Sequence, residues 1–142
     1  MKVLITRPET SSKRLADKLA TLGYVSVTNA MLNIVPVSHQ IDLNKYAGLL
    51  FTSKSAVEEL NPLELRQYKG EVYAVGESTG RVMNDFLGRP AKVAGGDSAA
   101  LVELIVRDFD SSAGTLLHVS GKEVRMDLVA ALSAHGYAIE RE

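Results

Sequence analysis

The sequence predicts an α/β protein with a parallel sheet, and three observations carry that prediction. Short apolar runs of about five residues alternate with amphipathic segments of about 9–14 residues along the 142-residue chain. Several of the runs, such as KVLIT (Lys2–Thr6) and GLLFT (Gly48–Thr52), are apolar at consecutive positions, the signature of a strand covered on both faces. The runs also end in stretches rich in glycine and hydroxyls, FTSKS, VGEST, AGGDS and VSGKE, which packing does not require.

The elements follow in order. KVLIT is the first strand. SSKRLADKLATLG is a helix with Leu15, Leu19 and Leu22 at helical spacing and charged residues between them, closed by Gly23 at the C′ position. YVSVT (Tyr24–Thr28) alternates like a second strand, completing a βαβ start. The segment after it is less regular. Pro36 argues against a central strand and suits an edge or a crossing segment, with a lobe boundary near Val37. Residues 1–37 therefore form one unit and residues 38–142 a second lobe. In that lobe GLLFT leads into SKSAVEEL, where Ser53 is an N-cap and Ala56, Val57 and Leu60 share a face, and Asn61-Pro62 ends the helix. EVYAV is a strand and GESTGRVMNDFLG a helix closed by Gly88. AKVAG is a strand, and DSAALVELIVRDF is a helix capped by Asp97. TLLHV is a strand, SGKEVRMDLVAALSAHG a helix ending at Gly136, and YAIERE a last strand. From Gly48 onward this makes five strands and four helices, a flavodoxin-like parallel sheet with helices on both faces. The chain is thus one nearly complete lobe plus the βαβ start of another.

Composition narrows the function. Hydrophobic residues make up 46% and charged residues 23%, enough for a real core. Sixteen Lys and Arg against seventeen Asp and Glu leave a net charge of −1, which gives no general attraction to nucleic acid or to a membrane. Any anion site must therefore be a local cluster. The absence of cysteine excludes disulfides, thiolate nucleophiles and cysteine metal sites. The N-terminal apolar run is too short for a signal peptide, and no run approaches the ~20 residues of a membrane span, so the expected setting is the cytoplasm.

In doubly wound sheets ligands bind outside the carboxyl ends of the strands. AVGESTG (Ala74–Gly80) lies there but is neither a dinucleotide fingerprint nor a phosphate-binding P-loop. Ser78, Thr79 and the free N–H groups of a helix start can hold a carboxylate or phosphate, although simple capping explains the same residues. Thr52, Ser53, Ser55 and Lys54 crowd a second helix start, with the same two readings. Lys122 and Arg125 fall on what reads as the first turn of the last helix. Cations there oppose the helix dipole, so a ligand is one reason for their presence and mere surface exposure the other. His39, His118 and His135 lack ligand spacing, and His118 reads as a core or rim residue. No triad, acid–base pair, metal site or cofactor motif emerges, and no catalytic residue is singled out.

These strand ends resemble the uroporphyrinogen-III synthase family. VLITRPE, LATLGY followed by NIVPV, AGLLFTSKSAV, VYAVGESTGRVM and LLHVSGKEVRMDLVAALSAHGY match the family's pieces in order over nearly the whole chain, with FTSKSAV and AVGEST the most specific pair. The resemblance implies a cofactor-free and metal-free lyase. Such an enzyme cyclises hydroxymethylbilane to uroporphyrinogen III with inversion of the last pyrrole ring, holding an octacarboxylate between two flavodoxin-like lobes. By motif position it implies substrate binding by Arg7, Thr52, Ser53, Ser78, Thr79, Lys122 and Arg125. Gly80 stands where the family often has alanine. The family's chain is also substantially longer, so the expectation is a fragment: residues 1–37 begin a first lobe whose remainder is missing. On that reading the chain alone is inactive, and its N-terminal unit self-associates or packs atypically. A flavodoxin-like ligand-binding or regulatory module is the alternative, as is a purely structural α/β fragment. A receiver-type module would need acidic residues that TRPET and VGEST do not supply.

Overall fold

A computed structural model describes residues 1–35, 40–122 and 124–142. Pro36, the boundary near Val37 and His39 lie outside the described residues. The chain forms two compact units, Met1–His39 and Gln40–Glu142.

The first unit holds β1 (Lys2–Ile5), α1 (Glu9–Thr21) and β2 (Val25–Thr28), with the strands parallel and Lys2 opposite Val25. The helix starts two residues before the predicted Ser11, with Pro8 as its N-cap. The hydroxyls of Ser11 and Ser12 donate to the carbonyls of Pro8 and Arg7 (2.9 and 2.8 Å) instead of capping. At the other end Leu22 is the C-cap and Gly23 follows with φ +80°, as the sequence indicates. The expectation that the first strand is buried on both faces fails. Ile5 is buried, but Leu4 is 60% exposed. Successive side chains of a strand point to opposite faces, and the burial differs accordingly between Leu4 and Ile5.

The second unit opens with a 3-10 turn (Leu43–Lys45) and β3 (Gly48–Phe51). Then come α2 (Lys54–Glu58), α3 (Pro62–Gln67), β4 (Glu71–Val75), α4 (Glu77–Leu87), β5 (Lys92–Ala94), α5 (Ser98–Asp108), β6 (Leu116–Val119), α6 (Leu128–Ala134) and β7 (Ile139–Arg141). The five strands form one parallel sheet in the order β5-β4-β3-β6-β7. The predicted parallel α/β architecture is present. Counted from β3, however, the order is 3-2-1-4-5, that of the first five strands of the six-stranded dinucleotide-binding sheet, whereas flavodoxin itself is 2-1-3-4-5. The order reverses between β3 and β6, which makes their carboxyl ends the switch point of the sheet.

Both faces are covered. Leu49, Phe51, Leu117 and Val119 pack with residues of α2, α3 and α4. Leu50, Tyr73 and Leu116 pack on the other face with α5 and α6. Leu49, Leu50 and Phe51 have no exposed surface, each worth about 1.5–3 kcal/mol of burial, so β3 is the anchor of the lobe.

Three local readings change. Asn61-Pro62 does not simply end a helix. Asn61 Oδ1 accepts from the Leu63 N–H at 3.0 Å and starts α3, whose Leu65 is fully buried. This raises the helix count beyond the four expected. The last helix is also much shorter than SGKEVRMDLVAALSAHG suggests. It begins at Leu128, with Asp127 accepting from the Ala130 N–H at 3.0 Å, and the described residues between β6 and Asp127 are not helical. An aspartate that satisfies a free N–H group sets the start more strongly than a run of residues with good helix propensity. Finally, Gly80 is fixed by packing, since a Cβ there would collide with the side chain of Val93 on β5.

Candidate functional site at the carboxyl edge of the sheet

Parallel pairing in register places the ends of β3, β4 and β6 along one edge. Phe51 lies opposite both Ala74 and Val119, so Thr52, Val75 and Ser120 leave the sheet side by side, on strands about 5 Å apart. The turns after them carry six of the seven residues that the sequence singles out. Arg7 is the exception. It follows β1 in the other unit and is exposed.

Not all six are free to act. Ser53 Oγ accepts from the Ala56 N–H at 3.3 Å and caps α2, so capping accounts for that hydroxyl. Asp97 likewise caps α5 by accepting from the Ala99 and Ala100 N–H groups at 3.0 and 3.1 Å.

The start of α4 differs. Its N-cap is Gly76, at φ +76°, which has no side chain to offer, and the N–H of Gly76 is taken by the Ala94 carbonyl at 3.0 Å. A side chain at that position would be strained. Neither Ser78 nor Thr79 caps the helix, so simple capping does not explain them. Thr79 is 4% exposed, and its hydroxyl has no hydrogen-bond partner among the described residues, while Ser78 is exposed. Glu77, the one charge that would repel an anion here, is paired with Arg81 a turn along the helix at 3.1 Å. The N–H groups of the first turn are therefore left with a favourable dipole and no side-chain acceptor.

Lys122 and Arg125 are exposed in the non-helical segment that leaves β6. They are not on a helical first turn as expected, because α6 starts later. Neither joins an ion pair among the described residues.

The contact that sequence reasoning missed is between Thr52 and His118. Thr52 Oγ1 lies 3.3 Å from His118 Nε2. His118 is 1% exposed, and its Nδ1 has no partner among the described residues. Burial, reinforced by the positive charge of Arg141 on the neighbouring strand, pushes the imidazole down to about 4, while Asp127 opposes the shift. The ring is therefore neutral near pH 7. In the sequence, Thr52 and His118 each stand two residues beyond a core leucine, Leu50 and Leu116. That spacing puts each on a defined strand face, but nothing in the sequence says that the two strands are neighbours.

Taken together, this edge offers hydroxyls, unpaired backbone donors and two mobile-length cations, with no acidic group aimed at it among the residues just described. It can dock carboxylates. No group of three or more His, Asp or Glu among the described residues could hold a metal ion, and no described helix is long and apolar enough to cross a membrane.

A family model described as uroporphyrinogen-III synthase HemD matches residues 13–141. Among solved structures, that of uroporphyrinogen-III synthetase from Helicobacter pylori 26695 is similar in fold, with a TM-score of 0.57 and 21% sequence identity. The likeness covers 84% of this chain and 53% of that one, so the chain spans about half the length of the structure it matches. No curated protein sequence matches.

Proposed function

The chain belongs to the uroporphyrinogen-III synthase family, and from that premise we propose that its carboxyl edge binds carboxylate arms of hydroxymethylbilane. The protein would thereby take part in cyclisation to uroporphyrinogen III with inversion of the last ring. The observation that carries the reading is the α4 start: an uncapped first turn, the largely buried Thr79 whose hydroxyl has no partner among the described residues, and Glu77 turned to Arg81. A carboxylate is the complement of that arrangement, since it accepts several N–H and O–H donors at once. Thr52 and Ser78 extend the donor row, and Lys122 and Arg125 supply charge. The role of these residues in turnover is to bind, orient and exclude water around a substrate that loses its own hydroxyl as water. Geometry and preorganised donors can supply much of such a barrier.

On this reading the partner is a small-molecule polycarboxylate and not a nucleic acid, the setting is cytoplasmic, and residues 1–37 belong to a lobe otherwise not represented in the chain. Self-association of that unit through its apolar strand is part of the proposal. The test is calorimetric titration of the 142-residue chain with uroporphyrinogen III under reducing conditions, with acetate as the control anion. Saturable binding of the tetrapyrrole, weakened by salt, is expected. No binding while the chain is folded would refute the docking role.

A further inference from the structure

We propose that His118 is a positioning residue for Thr52: its Nε2–H donates to Thr52 Oγ1 and leaves the threonine O–H as an outward donor for a ligand carboxylate. The inference rests on the polycarboxylate reading of this edge.

A neutral imidazole carries one N–H, and the two ring nitrogens here have different surroundings. Nε2 has an oxygen at 3.3 Å, whereas Nδ1 is buried with no partner among the described residues. A buried N–H without an acceptor is rarer than a buried acceptor without a donor. Asp127, the acid that acts on the ring, already spends its Oδ1 on the Ala130 N–H. The proton therefore belongs on Nε2, facing Thr52.

The choice of tautomer sets what Thr52 shows to the outside. With Nε2–H donating, one lone pair of Oγ1 is occupied and the hydroxyl proton must point elsewhere. Thr52 is half-buried and has no other hydrogen-bond partner among the described residues, so that direction is open to a ligand. A donor that itself accepts a hydrogen bond is polarised and strengthened. With the opposite tautomer the O–H would turn inward to Nε2, and only lone pairs would face an incoming carboxylate, which repels it. The pair stands at the switch point of the sheet, between β3 and β6, where ligands of doubly wound folds bind. A neutral group also suits the place better than a cation, since it aims the hydroxyl without a buried charge when no ligand is present.

The first measurement needs no substitution. Nitrogen-15 NMR of the imidazole in the 142-residue chain near neutral pH should show the Nε2–H tautomer, and a dominant Nδ1–H form would overturn the proposal. The second is a double-mutant cycle on uroporphyrinogen III binding with His118→Leu and Thr52→Val. Each single change should weaken binding about tenfold, the size of one well-placed hydrogen bond. The double variant should be no weaker than Thr52→Val alone, because His118 acts only through that hydroxyl. His118→Gln, whose amide N–H can replace the donor, should recover part of the loss. Equal losses in both backgrounds, or unchanged affinity in a folded His118→Leu chain, would overturn the positioning role and leave the docking site standing. A wild-type chain that binds no tetrapyrrole overturns the docking site itself.

Discussion

Acidification should cost the second unit about 3 kcal/mol through His118 alone. In the fold, burial and Arg141 hold this imidazole at about 4, against an ordinary value of 6.5. The unfolded chain accepts a proton below about 6.5, whereas the folded unit refuses it until about 4. Across that window the unfolded state binds more protons, so stability rises with pH. The contribution is intact above 6.5, is lost progressively as pH falls toward 4, and changes no further below that. At about 1.4 kcal/mol per pH unit the gap amounts to about 3 kcal/mol, of which about 2 is already lost at about pH 4.5. A folded domain has a margin of only about 5–15 kcal/mol, so the loss is easily measured. The assay is urea unfolding of the wild-type chain and of His118→Leu at about pH 7 and about pH 4.5. The chain has no tryptophan, so tyrosine fluorescence is the probe, and buried Tyr73 and Tyr137 report on the second unit. All other ionisable groups are common to both proteins, so the difference in pH dependence isolates position 118. The wild type should lose about 2 kcal/mol more than the variant between the two conditions. Parallel pH dependence in the two proteins would show that the folded ring protonates as freely as the unfolded one, and the burial argument would fail.

Three further outcomes follow from the site and its supports. Thr79→Val keeps the shape of a buried side chain whose hydroxyl bonds nothing among the described residues, so thermal stability should shift by less than about 1 kcal/mol while affinity for uroporphyrinogen III falls several-fold. Unchanged affinity would return Thr79 to a packing role. Gly80→Ala gains about 1 kcal/mol of helix propensity but drives a methyl into Val93, and overpacking of about 1–3 kcal/mol should win. In a Val93→Ala background the same change should become stabilising, which paired denaturant midpoints will show. Asp127→Ala removes the cap of α6 and should lower stability by about 1 kcal/mol, with Asp127→Asn nearly neutral in comparison. Helix-specific hydrogen exchange over Leu128–Ala134 reads that loss directly.

The sequence by itself determined the class of the fold and the edge where the candidate site lies. Those features are local: apolar runs such as GLLFT, amphipathic segments between them, and Gly76, Ser53 and Asp97 at the junctions all act within a few residues. Ser53 and Asp97 were legible as caps for the same reason, because a cap bonds an N–H only two or three residues away. Where two local signals compete, the sequence alone does not rank them. Helix propensity over SGKEVRMD suggested a first turn carrying Lys122 and Arg125, and Asp127 overrode it. The apolar run KVLIT implies burial on both faces, but such a run does not say how many neighbours its strand will find, and among the described residues β1 pairs only with β2. Tertiary structure alone decided the strand order, and with it the switch point. It alone brought Thr52 to His118 across 66 residues of sequence. It also made Gly80 a packing requirement against Val93. Contacts between strands that are remote in the chain depend on which edge each crossover returns to. That choice is made by burying the faces of the whole sheet at once, and no short stretch of sequence encodes it.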